Sequence, residues 1–186
     1  MDIPAVITQL RTYCPALGGR VAGAANFETG VETVVSFTDA SGNLQYPNAI
    51  VIPLGSEARD NELPHGPALE QIVTETFAVV VEFDASQDRR GQAGADQIDA
   101  MRYSLYAALL NWHADEARSE EGLNYAGDEP LPFDRARLFW QFRFSLNVTV
   151  TDADGFLPRG DPLTQVQSTV PGETPQTPPI VFNANV

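Results

Sequence analysis

The sequence contains no lysine, one cysteine and two histidines. The single cysteine, Cys14, permits neither an internal disulfide nor a cysteine-based zinc site. All 11 basic residues are arginine, and the net charge of −14 argues against a surface that grips nucleic acid, because such a surface needs a basic patch. This charge does not exclude a protein that nucleic acid merely passes.

Long apolar runs are also lacking. No stretch of about 18 or more apolar residues occurs, so we expect no membrane-spanning helix. Residues Met1–Pro4 lack the basic start and the apolar run of a signal peptide. The chain has 186 residues, 43 % of them apolar, which is enough to bury the core of one domain, or of one domain with an extension.

The sequence carries no recognisable catalytic motif. His65 lies in a loop and His113 at the end of a predicted helix, and neither belongs to a nucleophile elbow or a phosphate-binding loop. A divalent-cation site, and with it a metal-assisted hydrolase, is one interpretation of the carboxylates Glu82, Asp84, Asp88, Asp96 and Asp99. The presence of Arg89 and Arg90 among them favours a solvated loop that neutralises its own charge. We therefore predict no catalytic, cofactor or metal residues.

Three segments with strong periodicity predict the centre of the fold. Residues Ala93–Trp112 carry apolar side chains at spacings of three and four, as one face of an α-helix requires. Before them, the apolar residues of Val73–Phe83 lie on one face of a strand. After them, seven apolar residues alternate with polar ones in Leu138–Thr151. The helix is expected to cover the apolar face of these strands.

Weaker signals complete the predicted body. Asp2 and Pro4 favour the start of an N-terminal helix, which should end near Tyr13 because Pro15 follows. Further strands are predicted at Arg20–Ala24, Val31–Thr38 and Asn48–Leu54, with a brief one at Leu123–Tyr125. This order predicts an α+β two-layer sandwich, in which a mainly antiparallel sheet of about four to five strands carries two helices on one face.

Two polar loops and the C-terminus are predicted to contact partners. The loops are Gly55–Pro67 and Asp84–Gly91, since long polar loops between strong elements often form binding surfaces. Proline is frequent near the C-terminus, so we expect a body at residues 1–154 and an extended arm at residues 155–186. The candidate interface residues are Arg59, His65, Arg89 and Arg90 in the loops, and Ile180, Val181 and Phe182 as an apolar hook on the arm.

A series of short segments, taken in order, resembles a known family. The segments are Ile3–Leu10, Arg20–Ala25, Ala49–Leu54, Phe77–Val81, Ala108–Trp112 and Leu123–Gly127, followed by Trp140 and Phe142. Over residues 1–151 their order and spacing resemble the tail terminator, or tail completion, proteins of long-tailed bacteriophages. Many relatives have glycine where this chain has Asn111, and both the loop Glu28–Asn43 and the proline-rich arm depart from the family pattern.

The resemblance implies a structural virion protein without catalytic residues. Such proteins form a ring, usually a hexamer, that caps the finished tail tube, ends its polymerisation and presents a surface for joining the head. The implied partners are further copies of the chain, the tail tube protein and a head-side neck or stopper protein. The expected location is the virion tail at the neck, after assembly in the host cytoplasm.

The lumen of such a ring is expected to be acidic. DNA would pass through it without specific binding, because like charge on the wall keeps phosphates from sticking. The lumen candidates are Glu62, Asp84 and Asp88. The alternatives are another neck or tail protein, such as a connector, stopper or tube subunit, and the metal-assisted hydrolase described above.

Overall fold

One mixed β-sheet with two helices on one face builds the body of the chain. The computed structural model describes residues 1–23, 37–63, 69–86, 92–115, 119, 121–132 and 137–155. The helices are α1 (Ile3–Tyr13) and α2 (Gln92–Leu109), and the strands are β1 (Val21–Gly23), β2 (Asn48–Ala58), β3 (Glu70–Asp84), β4 (Asn124–Pro130) and β5 (Arg137–Thr151). The strand order is β1-β2-β3-β5-β4, with β1 parallel to β2 and the other pairs antiparallel. The predicted α+β fold is confirmed.

The strand β3 lies at the centre of the sheet. It pairs with β5 along its whole length, from Glu70 opposite Thr151 to Asp84 opposite Arg137, and with β2 on its other edge. Alternate residues point to the helices, and these form the main core together with residues of α1 and α2. Its largest fully buried side chains include Phe77, Phe142, Phe144, Leu10 and Leu105.

Local interactions determine both ends of α1 and the C-terminal end of α2. The Asp2 carboxylate accepts a hydrogen bond from the Ala5 N–H at 3.2 Å and caps α1, which ends at Tyr13. Helix α2 buries Ile98, Met101, Leu105, Ala108 and Leu109. It ends three residues before the predicted Trp112, because residue 111 adopts a left-handed conformation with φ 60°.

The predicted loop Gly55–Pro67 is wrong over its first part. Strand β2 continues to Ala58, because Leu54 is an extra residue in a β-bulge and Gly55 takes φ 123°, after which pairing with β3 resumes. The result is a long β2–β3 hairpin. Strand β4 is likewise longer than the brief strand predicted at Leu123–Tyr125. Of the strand predicted at Val31–Thr38, only residues 37 and 38 are described, and Thr38 forms an isolated bridge with Leu44.

The sheet face opposite the helices is partly apolar and partly polar. A small cluster of Ala78, Val80 and Phe139 is buried there. At one end of the same face, the Asn48 side-chain amide donates a hydrogen bond to the Glu82 carboxylate at 2.9 Å, and both side chains are buried. The Arg137 guanidinium lies 3.6 Å from that carboxylate.

The chain divides into two compact units, residues 1–151 and residues 152–186. The first unit contains the sheet and both helices. Of the second unit, the described part is a short 3-10 turn, Asp152–Asp154, followed by Gly155. The predicted arm at residues 155–186 therefore lies almost wholly outside the described residues, and it stays a prediction.

Candidate assembly surfaces

A carboxylate on β4 joins three elements of the body. Asp128 accepts hydrogen bonds from Arg102 Nε at 2.7 Å and from Trp140 Nε1 at 3.0 Å. It also accepts a short hydrogen bond from the Tyr125 hydroxyl. Arg102 lies on α2 and Trp140 on β5, so this cluster ties the helix to the edge strand and to its neighbour. A second carboxylate, Asp99, pairs with Arg102 from the exposed side of α2.

The pKa values of this cluster follow from its contacts. Burial alone would raise the pKa of Asp128, but the hydrogen bonds from Arg102, Tyr125 and Trp140 together outweigh burial and lower it. Desolvation, followed by the hydrogen bond to Asp128, raises the pKa of Tyr125. The hydrogen bond to Asp128 also raises the pKa of Arg102. Asp128 is therefore ionised and Arg102 charged at neutral pH.

Most arginines in the described residues are committed to contacts inside the body. Arg11 donates to the Val21 carbonyl at 2.6 Å, and Arg20 donates to the Pro47 carbonyl at 2.8 Å. Arg102, Arg137 and Arg143 lie within ion-pair distance of carboxylates. Many carboxylates, in contrast, are exposed, among them Glu57, Asp60, Glu62, Glu70, Asp84 and Asp96. The surface of the described body is therefore predominantly negative.

An open groove of about 540 Å³ lies beside α2, at the end of β3 that carries Asp84. Apolar side chains on its walls come from Ala16, Pro47, Phe83, Ala100 and Met101, and polar ones from Tyr46, Asp84, Gln97 and Ser104. The Asp84 carboxylate accepts a hydrogen bond from the Ser86 N–H at 2.9 Å, and hydrogen bonds from Ser86 lower the pKa of Asp84. The groove thus combines an apolar surface with one fixed negative charge.

A second exposed surface lies at the opposite end of β3, next to the end of β2. We call residues 59–63 with Glu70 the hairpin end. Its backbone is fixed, because the Arg59 N–H donates to the Ile72 carbonyl at 2.9 Å and the Glu62 N–H donates to the Glu70 carbonyl at 2.8 Å. The Asn61 side-chain oxygen accepts from the N–H groups of both Leu63 and Glu70. The side chain of Leu63 is 42 % exposed.

The carboxylates considered for a metal site do not come together in the described part of the chain. Glu82 is buried against Asn48, Asp84 is exposed, and Asp99 pairs with Arg102, while Asp88 lies outside the described residues. No group of three or more possible metal ligands occurs among the described residues. Neither described helix is long and apolar enough to cross a membrane. Cys14 is buried, and burial raises the pKa of its thiol.

Comparison with known proteins identifies the family. The family model for the phage tail terminator protein matches residues 1–154, which include every described helix and strand of the body. The chain belongs to the phage tail terminator family. A comparison with curated proteins gave no significant match. The resemblance drawn from the short sequence segments is confirmed, and the chain is a structural protein of the phage tail.

The candidate residues of this terminator chain lie either on two surfaces of the body or outside the described residues. Arg59 and Glu62 lie on the hairpin end and Asp84 lies on the groove, so the structure places them on two separate surfaces. The other candidates lie outside the described residues, and their roles stay predictions: His65, Arg89, Arg90, Ile180, Val181 and Phe182 for partner contacts, and Asp88 for the lumen.

Two features of this terminator body were missed from the sequence. Asp128 lies outside the brief strand predicted at Leu123–Tyr125, although the segment Tyr125–Pro130 contains the tyrosine and the carboxylate of the cluster. A strand assignment there would have placed Asp128 beside Trp140, which lies two positions from its β5 partner Phe142. The groove gave no sequence signal, because its walls come from four separate segments of the chain.

Proposed function

We propose that this terminator chain forms a closed ring, usually of six copies, that caps the tail tube, ends its polymerisation and presents a surface for head–tail joining. The observation that carries the proposal is the family match, which spans residues 1–154. Family members that share a whole domain rather than one motif are expected to share the way that domain assembles. The ring would lie at the neck end of the virion tail, between the tube and a head-side protein.

The charge of the chain fits a channel that DNA passes. The net charge is −14, and most described arginines are held by carbonyls or carboxylates of the body. Like charge on the inner wall would repel DNA phosphates and leave DNA free to move. Glu62 and Asp84 lie at opposite ends of β3, about 48 Å apart at about 3.4 Å per residue, so they would face such a channel at different heights.

The mass and shape of the purified full-length protein test the ring. We expect light scattering to give one species of about six copies over a wide concentration range, and negative-stain images to show closed rings. A tube subunit would instead form filaments on its own, because its heterologous contacts do not close. Filaments of the pure protein, or a monomer at every concentration, would contradict the proposal.

The capping activity needs a second assay with the tail tube protein. Added in amounts far below one copy per tube subunit, a terminator should stop elongation, because it acts only at tube ends. The tube protein without the chain provides the control, and tube length in electron micrographs is the measurement. A ring that leaves tube length unchanged would favour a connector or stopper over a terminator.

A further inference from the structure

The sheet face opposite the helices contains a buried patch that spans β2, β3 and β5. Helices α1 and α2 pack on the other face of the sheet, where they form the main core. The patch is therefore buried although neither described helix lies on it. We call it the outer patch, and its residues, each at most 6 % exposed, are Asn48, Ile50, Ala78, Val80, Glu82 and Phe139.

Two acceptor oxygens in the outer patch lack a hydrogen-bond donor. The side-chain oxygen of Asn48 and one carboxylate oxygen of Glu82 are buried, and within the described part of the chain neither accepts a hydrogen bond. Arg137 Nη1 lies 3.6 Å from that Glu82 oxygen, which is within ion-pair distance but too long for a hydrogen bond. Buried acceptors in folded proteins normally have partners. The segment that covers the outer patch should therefore supply donors as well as apolar side chains.

The connection from β1 to β2 joins parallel strands, so its hand determines which face of the sheet it crosses. Such crossovers are right-handed in about 98 % of cases. The connection from β3 through α2 to β4 is a second one, because β3 and β4 are both antiparallel to β5. Both connections shift the same way across the sheet, but β1 and β2 run opposite to β3 and β4. Two crossovers of the same hand must then pass over opposite faces. Since α2 lies on one face, the rule directs residues 24–47 over the face that carries the outer patch.

We propose that residues 24–36, the first part of this connection, lie across the outer patch and bury it within each copy. The distance from β1 to β5 is about 14 Å at about 4.8 Å per strand. These 13 residues span up to about 43 Å when extended, which is enough to cross the patch and return. Their composition suits the patch: Phe27, Val31, Val34 and Val35 are apolar, and Asn26, Thr29, Thr33 and Ser36 carry side-chain donors.

The C-terminal arm is the other segment long enough to reach the outer patch, but it fits less well. Residues 24–36 and the sheet belong to the same compact unit, residues 1–151, whereas the arm belongs to the second unit. The arm also follows Thr151, which lies about 41 Å from Phe139 along β5 at about 3.4 Å per residue. A patch covered by its own chain leaves contacts with partners to the helices, the sheet edges, the loops and the arm. This inference does not depend on the proposed ring.

Protection of an introduced thiol tests whether each copy covers its own outer patch. In the full-length protein, Val80→Cys places a thiol in the patch, and Thr149→Cys places one at an exposed position on the same sheet face. We expect a maleimide to label the first at least about 100-fold more slowly than the second, because a buried thiol reacts only during local opening. The unaltered chain, in which Cys14 is buried, provides the blank. Similar rates would contradict the proposal, and protection that is lost on dilution would assign the cover to another copy.

Further variants of the Val80→Cys chain identify the covering segment. Replacing the four apolar residues of the segment by serine should speed the labelling about tenfold or more, because the patch then opens more often. The matched control replaces Glu28 and Glu32 by serine and should leave the rate unchanged. Truncation after Gly155 should also leave it unchanged. If truncation exposes the thiol, the arm is the cover and the proposal is wrong.

A photocrosslink identifies the covering segment without requiring the serine variants to fold. Ile52 is half-buried and packs at the rim of the outer patch, so Ile52→Cys can carry a benzophenone maleimide. After irradiation, peptide mass analysis should locate the crosslink in residues 24–36, and the product should have the mass of one chain. A main product in residues 156–186, or one that joins two chains, would overturn the proposal.

Discussion

At the scale of single residues, Asp128 shows why a carboxylate occupies a largely buried position. It receives hydrogen bonds from Arg102, Tyr125 and Trp140, which are all donors. A carboxylate has only acceptors, so it can satisfy these donors without presenting one of its own. An asparagine would have about the same size but would direct an amide group at one of them. The position therefore requires the charge as well as the shape.

Replacing Asp128 by asparagine is expected to lower the free energy of unfolding by about 3 kcal/mol, because one partner of a largely buried ion pair is lost. The side chain of Asp128 is only 12 % exposed, whereas that of Asp99 is 62 % exposed. The matched control is therefore Asp99→Asn, which should cost less than about 1 kcal/mol since exposed ion pairs contribute little. Urea unfolding measures both, and equal losses would contradict this account.

The difference in the free energy of unfolding between the unaltered chain and Asp128→Asn should depend on pH. The pKa of Asp128 is lowered in the folded state, so its contribution is fully present above the unfolded value of about 3.9. It is lost as pH falls through the lower folded value, where the carboxylate becomes protonated. The gap in stability between the unaltered chain and Asp128→Asn should thus be constant near neutral pH and shrink below about pH 4. A gap that widens with acid would exclude this linkage.

Trp140 contributes both apolar contact and a hydrogen bond. Its alternation with Phe142 predicts a core residue, and the structure adds that its side chain is only partly buried and that its indole N–H donates to Asp128. Trp140→Ala should cost about 3 kcal/mol, at the lower end for large aromatic residues because burial is incomplete. Trp140→Phe keeps most of the contact and should cost about 1 kcal/mol. Melting curves unchanged by either substitution would remove Trp140 from the packing.

At the scale of elements, strong apolar periodicity predicted which helices and strands are present. Local backbone features determine where each of them ends. The apolar spacing predicted helix α2 and strands β3 and β5, because the regularly spaced apolar residues form the buried face of each element. The β2–β3 hairpin could not be predicted, since a bulge at Leu54 shifts the alternation by one residue and made Gly55–Ala58 look like a loop. The end of a helix or strand that depends on the φ angle of one residue cannot be recognised from the amino-acid composition of the segment.

The end of α2 shows another such feature, a close crossing of two backbone segments. Asn111 has φ 60°, and its N–H donates to the Leu123 carbonyl at 3.0 Å. The Leu123 N–H donates in turn to the Trp112 carbonyl at 3.0 Å. This position requires a residue that tolerates the left-handed conformation, and asparagine is among the few residues other than glycine that do so.

Gly122 makes this crossing possible, and Gly122→Ala should disrupt it. A Cβ at position 122 would lie 2.5 Å from the Asn111 backbone, so the two segments would have to separate. We expect a loss of about 3 kcal/mol, as for severe overpacking. Asn111→Gly is the companion variant: it keeps the crossing, relieves the left-handed strain and should change stability by less than about 1 kcal/mol. Equal effects of the two substitutions in thermal melts would contradict the proposed crossing.

At the scale of the whole molecule, the roles of the candidate residues stay predictions, and the structure shows only where the described ones lie. Arg59, Glu62 and Asp84 were selected as exposed polar positions between strong elements, and the structure places all three at the surface. Their separation into two surfaces could not be predicted, because it depends on the length of β3 and on its pairing with β2. Whether a residue faces the tube, the head or a neighbouring copy depends on the assembly, so the periodicity of the sequence does not encode it.

The last prediction concerns residues 156–186, which follow the described part of the chain. Six prolines, at positions 158, 162, 171, 175, 178 and 179, argue against a helix or a paired strand, and an apolar hook, Ile180–Phe182, comes near the end. Fixing such a segment costs about 1–2 kcal/mol per residue, so it should become ordered only against a partner. At about 3.1 Å per residue it is long enough to reach a neighbouring copy.

Truncation after Gly155 should therefore leave the body folded and weaken the ring. The melting temperature of the body should stay close to that of the full chain, because the core residues lie before Thr151. The full-length variant Ile180→Ser/Phe182→Ser provides the matched control, since it removes the hook and keeps the length of the arm. If the hook makes the contact, both variants should dissociate at similar concentrations in light scattering. Unchanged ring mass at low micromolar concentration, with the arm deleted, would show that contacts within the body are sufficient to hold the copies together.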